Sequence, residues 1–216
     1  MRPLARDRIL ERIRRGTGHR TDPRAVGLRL EARAQTAPVP ALGTTAGRER
    51  TDQFMAKVQG VDATITRLPD AAALPQALAE ELRARNLPAT IRTGADPLFE
   101  QDWGGLERSV GIGRLREPAT LSRAHLASAE TGTLLLASGP DNPVTLTFLG
   151  ETHFVAVHES TICAGFEEMW ARWREMGRDP RTVNLVTGPS RSADIGQKLQ
   201  LGAHGPVALH VFLIAG

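Results

Sequence analysis

The sequence predicts an α/β fold with a mostly parallel sheet flanked by helices and a helical N-terminal arm. Three observations carry this. From Arg50 onward, short apolar runs of strand length alternate with segments whose apolar residues recur at helical spacing. The 216 residues, 41% hydrophobic and 24% charged, suffice for a full core and match ordinary globular composition. Residues 34–48 hold Pro38, Pro40, Gly43 and Gly47 among alanines and threonines and read as a linker. The chain therefore divides into a basic helix and linker, residues 1–49, and a domain over residues 50–216.

In the arm, Leu4, Ile9, Leu10 and Ile13 recur between arginines, predicting an amphipathic helix over residues 3–15 that ends near Gly16 and Gly18. In the domain, Phe54, Met55, Val58 and Val61 predict a helix and residues 63–68 a strand. Leu74, Leu78 and Leu82 place a helix over 72–86, followed by strands at 89–92 and 109–112. A helix is expected over 119–128, then strands at 132–137, 144–149 and 154–157. A helix over 166–176 carries Trp170 and Trp173, which read as core or interface residues. The last unit reads as a βαβ crossover: strand 183–186, loop Thr187–Ser190, helix 191–201, turn Gly202–Pro206 and strand 209–214. Ile195 and Leu199 would face the sheet, with Gly202 ending the helix.

Composition narrows the function. No apolar run approaches the roughly 20 residues that cross a bilayer, and residues 1–15 lack the apolar stretch of a signal peptide, so a cytoplasmic protein is expected. The first 50 residues hold 12 arginines against five acids, leaving the remainder net acidic. Without interleaved aromatics or a recognised nucleic-acid module, this arm reads as a solvated helix or protein-docking segment, and no nucleic-acid partner is expected. A lone cysteine, Cys163, forms no internal disulfide and cannot by itself hold an iron–sulfur cluster. Its apolar setting predicts a buried thiol.

Three polar turns are candidates for chemistry. In Thr187–Ile195, read as a loop entering a helix at the carboxyl end of a sheet, Gly188 would let the backbone approach a ligand. Ser190, Arg191, Ser192 and Asp194 would supply donors and charge for an anion. The same residues also suit a plain capped helix start. In Ala129–Thr133, Glu130 is a candidate base or nucleophile, with Thr131, Gly132 and Thr133 as ligand contacts. Here the structural alternative is a turn with Gly132 at positive φ. In Gly202–Pro206, His204 between glycines, with Gly205, suits ligand contact or proton transfer, and His153 is a second candidate. His158 and His210 read as sheet positions, His19 and His125 as surface or helix residues. Neither HxH nor HExxH spacing occurs, so no metal is expected. Gly-Pro-Ser-Arg-Ser differs from the G-x-S-x-G elbow of serine hydrolases at Ser192.

Together, Ala-Glu-Thr-Gly-Thr at 129–133, His153, Thr-Gly-Pro-Ser-Arg-Ser-Ala-Asp-Ile at 187–195 and Gly-Ala-His-Gly-Pro at 202–206 resemble the LUD-domain family over roughly residues 50–216. Gly196 and Glu151 depart from that pattern, which usually has Glu and Pro at those places. The resemblance implies a fold similar to the NagB/RpiA/CoA-transferase-like architecture. It also implies a role as the component without an iron–sulfur cluster in a system oxidising L-lactate to pyruvate, with partner proteins that include an iron–sulfur protein. The ligand would be a small carboxylate or phosphate-bearing metabolite. The alternative is a free-standing enzyme of the CoA-transferase or sugar-phosphate isomerase type with Glu130 as nucleophile or base.

Overall fold

The computed structural model describes residues 5–16, 22–36, 38–193, 199–201 and 204–215. It divides into two compact units, Met1–Pro38 and Val39–Gly216. The first holds helices α1 (Ala5–Gly16) and α2 (Pro23–Thr36). In α1, Arg15 and Glu11 stand one turn apart and pair at 2.6 Å.

The second unit opens with α3 (Gly47–Gly60), which begins inside the stretch expected to be linker, and continues into β1 (Thr64–Leu68). The Asp70 carboxylate caps the turn that leads into α4 (Leu74–Ala84) by accepting from the Ala73 N–H. Next come β2 (Thr90–Thr93), β3 (Glu107–Val110), β4 (Glu117–Arg123), β5 (Leu126–Ser128) and β6 (Thr133–Ala137). They are followed by α5 (Val144–Phe148), β7 (Gly150–His158), β8 (Ile162–Cys163) and α6 (Phe166–Glu175). The unit ends with β9 (Val183–Val186), β10 (Arg191–Ala193), β11 (Leu199–Leu201) and β12 (Ala208–Ile214).

Six strands form a wholly parallel sheet in the order β1-β12-β7-β4-β2-β3. A smaller mixed sheet has the order β8-β5-β6-β9, in which β6 runs antiparallel to both its neighbours. Side-chain alternation along β7 explains how these layers stack. Phe154 and Ala156 meet Leu74, Leu78 and Leu82 of α4 on one face. Val155 and Val157 meet Phe54 and Val58 of α3 and Leu134 and Leu136 of the mixed sheet on the other. Leu126 and Leu135, on the far side of that sheet, pack on Met169 and Trp173 of α6. With both faces covered, β7 is buried at seven of its nine positions, and its central run, Phe154 to Val157, is wholly apolar. Cys163 is fully buried, as expected, and burial raises its thiol pKa, which keeps it protonated at neutral pH.

Three elements differ from expectation. Residues 119–128 form parts of β4 and β5, not a helix: they are buried at almost every position, and a doubly buried strand erases the period that separates strand from helix. Residues 144–148 form a short helix, not a strand. Val144, Thr145 and Thr147 favour strands by propensity, but tertiary hydrogen bonds override them: Thr120 Oγ1 donates to the Leu146 carbonyl at 2.7 Å, and the Gly113 N–H donates to Thr145 Oγ1 at 2.8 Å. Finally, β10 and β11 form an antiparallel pair, Arg191 opposite Leu201, where a helix over 191–201 was expected. The Ile195 and Leu199 spacing behind that helix runs into residues 194–198, which lie outside the described residues, as does Gly202. Because β9 and β12 belong to different sheets, the last unit is not a βαβ crossover. His125 is also buried, not at the surface, with its ring edge-on to Trp173.

Candidate functional site

A cavity of about 210 Å³ opens where the two sheets meet. Its wall on the mixed-sheet side is the end of β9 and the loop that follows, from Leu185 to Ser190. On the parallel-sheet side it is bounded by His204–Pro206, Leu209 at the start of β12, and His153 in the first half of β7. Thr147 and Phe148 of α5 close it. The site therefore sits at the amino ends of β7 and β12, not at the carboxyl end of a parallel sheet. The loop does follow the carboxyl end of β9, but β9 is an edge strand of the mixed sheet.

Two of the three candidate turns meet here. The Ser190 N–H donates to the Pro206 carbonyl at 2.9 Å, and Gly205 lies so close to Ser190 that a Cβ on it would come within 3.3 Å of the serine Cβ. His204 stands exposed at the rim. His153 is fully buried, its Nε2 hydrogen-bonded to Ser122 Oγ at 3.1 Å and opposite Leu209 in register. Burial pushes its pKa down to about 3, so the imidazole is neutral at physiological pH.

The third turn, Ala129–Thr133, reaches the cavity only through hydroxyls: Thr131 Oγ1 contacts Thr133 Oγ1 at 2.6 Å, which contacts Thr187 Oγ1 at 2.7 Å. The turn joins β5 to β6 in a hairpin, not a helix to a strand. Glu130 does not line the cavity. Its carboxylate lies over the backbone of Gly43 and Gly165, so that a Cβ on Gly165 would come within 2.8 Å of Oε2. Gly165 is the residue before α6, and a carboxylate there faces the positive end of the helix dipole.

Two of the three glycines expected to contact a ligand, Gly132 and Gly188, also have a packing role, and Gly188 and Gly205 line the cavity. At Gly132 (φ +73°) a Cβ would come within 2.9 Å of the α3 backbone at Lys57 and Val58; at Gly188 (φ +78°) it would meet the Val61 carbonyl oxygen at 2.6 Å. Gly188→Ala is expected to cost about 2–4 kcal/mol, from the left-handed backbone and the overpacking together. An unchanged urea midpoint would show that the loop does not depend on this contact.

Arg191, expected to add charge, points to Asp62 at 2.8 Å and does not line the cavity. Asp194 and the Ser192 side chain lie outside the described residues. Thr147, Phe148, Leu209 and Ser122 were not read from the sequence as site residues. The first two were hidden by the strand expected over 144–149, and Ser122 by the helix expected over 119–128. Among the described residues no group of three His, Cys, Asp or Glu side chains gathers to hold a metal ion. Nor is any described helix long and apolar enough to cross a membrane.

The LUD domain model matches residues 116–214. Lactate utilization protein C of Macrococcus caseolyticus is 37% identical over 83 residues, covering 37% of this chain and 36% of that protein. The protein of the same name from Anoxybacillus flavithermus is 39% identical over 79 residues, again covering 37% and 36%. The matched part thus spans about a third of the length of these curated relatives. The crystal structure of a DUF162 family protein from Deinococcus radiodurans shares the fold, with a TM-score of 0.59 over 80% of this chain and all of that one, at 24% identity. The parallel sheet's β4, β7 and β12, the mixed sheet and every residue lining the cavity fall within the matched segment. Residues 116–214 of this chain are thus similar to the LUD domain family.

Proposed function

We propose that this chain is a component of a lactate-utilization system that carries no iron–sulfur cluster itself. In this reading the inter-sheet cavity binds a small carboxylate metabolite, while partner proteins, one of them an iron–sulfur protein, carry the electrons. The observation behind it is that the loop after β9 and the turn before β12 converge on one cavity inside the LUD segment, with Ser190 and His204 on its wall and His153 beneath. Similarity to lactate utilization protein C supplies the metabolic context. A free-standing enzyme of the CoA-transferase type would use Glu130 as nucleophile. That carboxylate lies against Gly43 and Gly165 and is not among the described residues lining the cavity, which favours the first reading.

At neutral pH His153 acts in this site as a hydrogen-bonding group, not as a cation, since protonating a buried imidazole is unfavourable. His204, by contrast, stands exposed at the rim.

Two measurements test the reading. The isolated chain is expected to give no L-lactate oxidation with an artificial acceptor, and activity is expected when partner proteins are added; turnover by the chain alone overturns the component role. Ser190→Ala and His204→Ala are expected to abolish thermal stabilisation by L-lactate or pyruvate while leaving the ligand-free Tm within about 2 °C. A fall in the ligand-free Tm as large as the lost stabilisation would assign both residues to packing.

A further inference from the structure

Two side chains at the floor of the cavity carry polar atoms that the described protein leaves unpaired. Thr147, 2% exposed, has no hydrogen-bond partner for Oγ1, and fully buried His153 has none for Nδ1, its Nε2 being engaged by Ser122. Native proteins pair nearly all such groups, because taking one from water without replacing its hydrogen bond is unfavourable. Here two come from successive elements, α5 and β7, and both residues line the same cavity. Leu185, Val186 and Leu209 make its walls apolar, and no Asp, Glu, Lys or Arg is among its described lining residues.

We infer that the cavity takes a small organic molecule, at most singly charged, whose hydroxyl or carbonyl oxygen is held by Thr147 and His153, and that these two residues set its specificity. This rests on the cavity being the metabolite site proposed above. It narrows the ligand to a hydroxy or oxo monocarboxylate and disfavours phosphate-bearing compounds. The chemistry of the pair supports that choice. A threonine hydroxyl both donates and accepts, and a neutral imidazole Nδ1 does one or the other according to its tautomer, so the floor matches an uncharged oxygen. Burial, which holds the His153 pKa near 3, keeps the imidazole from supplying a countercharge to a dianion. A single carboxylate would lie toward the rim, at His204.

The test is equilibrium titration of the full chain with L-lactate, with propionate, which lacks only the hydroxyl, and with inorganic phosphate. L-lactate is expected to bind at least about tenfold more tightly than propionate, since a site built around a ligand hydroxyl rejects the analogue without it. Phosphate is expected to show no saturable binding. Thr147→Val, which keeps the shape of the side chain and removes its hydroxyl, is expected to bring the L-lactate to propionate ratio close to one and leave propionate affinity within about twofold. Equal binding of the two acids, tighter binding of phosphate, or a tenfold ratio surviving in Thr147→Val overturns this inference and leaves the metabolite site standing. Absence of binding by either monocarboxylate overturns both. Should Thr147→Val fail to fold, the comparison of ligands on the unmodified chain decides alone.

Discussion

Phe154→Ala is expected to lower the unfolding free energy by about 3–5 kcal/mol, the range for truncating a fully buried aromatic side chain. Phe154 is completely buried in β7, between β4 and β12 of the parallel sheet. Its ring stacks on Phe212 of β12 with centroids 5.9 Å apart and planes 14° from parallel, and the Arg85 guanidinium lies 5.9 Å from its centre. Leu74, Leu78 and Leu82 of α4 belong to the same cluster. Deletion leaves a void that the sheet cannot close, because its strands are held by hydrogen bonds on both sides, so the cavity cost adds to the lost transfer free energy. Urea denaturation measures the change, with Leu115→Ala, at a side chain 77% exposed, as the control expected to stay within about 0.5 kcal/mol. A loss below about 1 kcal/mol at Phe154 would mean that the ring is not in the core described.

The second large effect is a steep loss of stability in mild acid. Three buried histidines have pKa values lowered from 6.5: His125 to about 4, and His153 and His210 to about 3, in each case chiefly through burial. His158 shifts the same way, again through burial. A group whose folded pKa lies below its unfolded pKa binds more protons when unfolded, so its contribution is complete above about pH 6.5 and is lost as pH falls toward the folded value. Between roughly pH 6 and pH 4 each such histidine contributes a slope of up to about 1.4 kcal/mol per pH unit. Three together approach about 4 kcal/mol per pH unit, enough to exhaust the margin of an ordinary domain within two or three units. Unfolding free energy measured at pH 7.5, 6 and 5 checks this. His210→Asn is expected to remove about a third of the slope, while keeping a side-chain partner for Thr64, whose Oγ1 stands 2.7 Å from His210 Nδ1. A profile flat from pH 7.5 to 5 would show that these rings are hydrated or already protonated in the folded state.

His210 and His125 also show where sequence reading reaches and where it stops. His210 lies in an apolar run that reads as a strand, and it occupies a sheet position in β12. His125 carries no such signal, because the segment around it reads as a helix, and its burial follows from the hairpin of β5 and β6 under α6. The same limit separates α4 from α5. Leu74, Leu78 and Leu82 repeat every four residues on a helix with one buried face, so α4 was legible. In α5, five residues long, propensity pointed to a strand, and the deciding hydrogen bonds come from Thr120 and Gly113, far away in the chain. At the site, the Thr187–Ser190 loop and the His204–Pro206 turn stood out by their residue types. Glu130 stood out equally and lies elsewhere, because residue type does not encode which side of a hairpin turn faces the cavity.

Periodicity, composition and motif order were enough to determine the alternating α/β class, the apolar strands of the core, the buried single cysteine and the resemblance to the LUD domain. These depend on local pattern and on total apolar content, which the linear chain carries directly. Only the tertiary structure decided that the main strands divide between a parallel and a mixed sheet, that β9 and β12 lie in different ones, and that the cavity opens between them at the amino ends of β7 and β12. Those features rest on strand pairing and hydrogen bonds between residues distant in sequence. A strand buried on both faces looks the same whichever partner it takes, so its place had to come from packing.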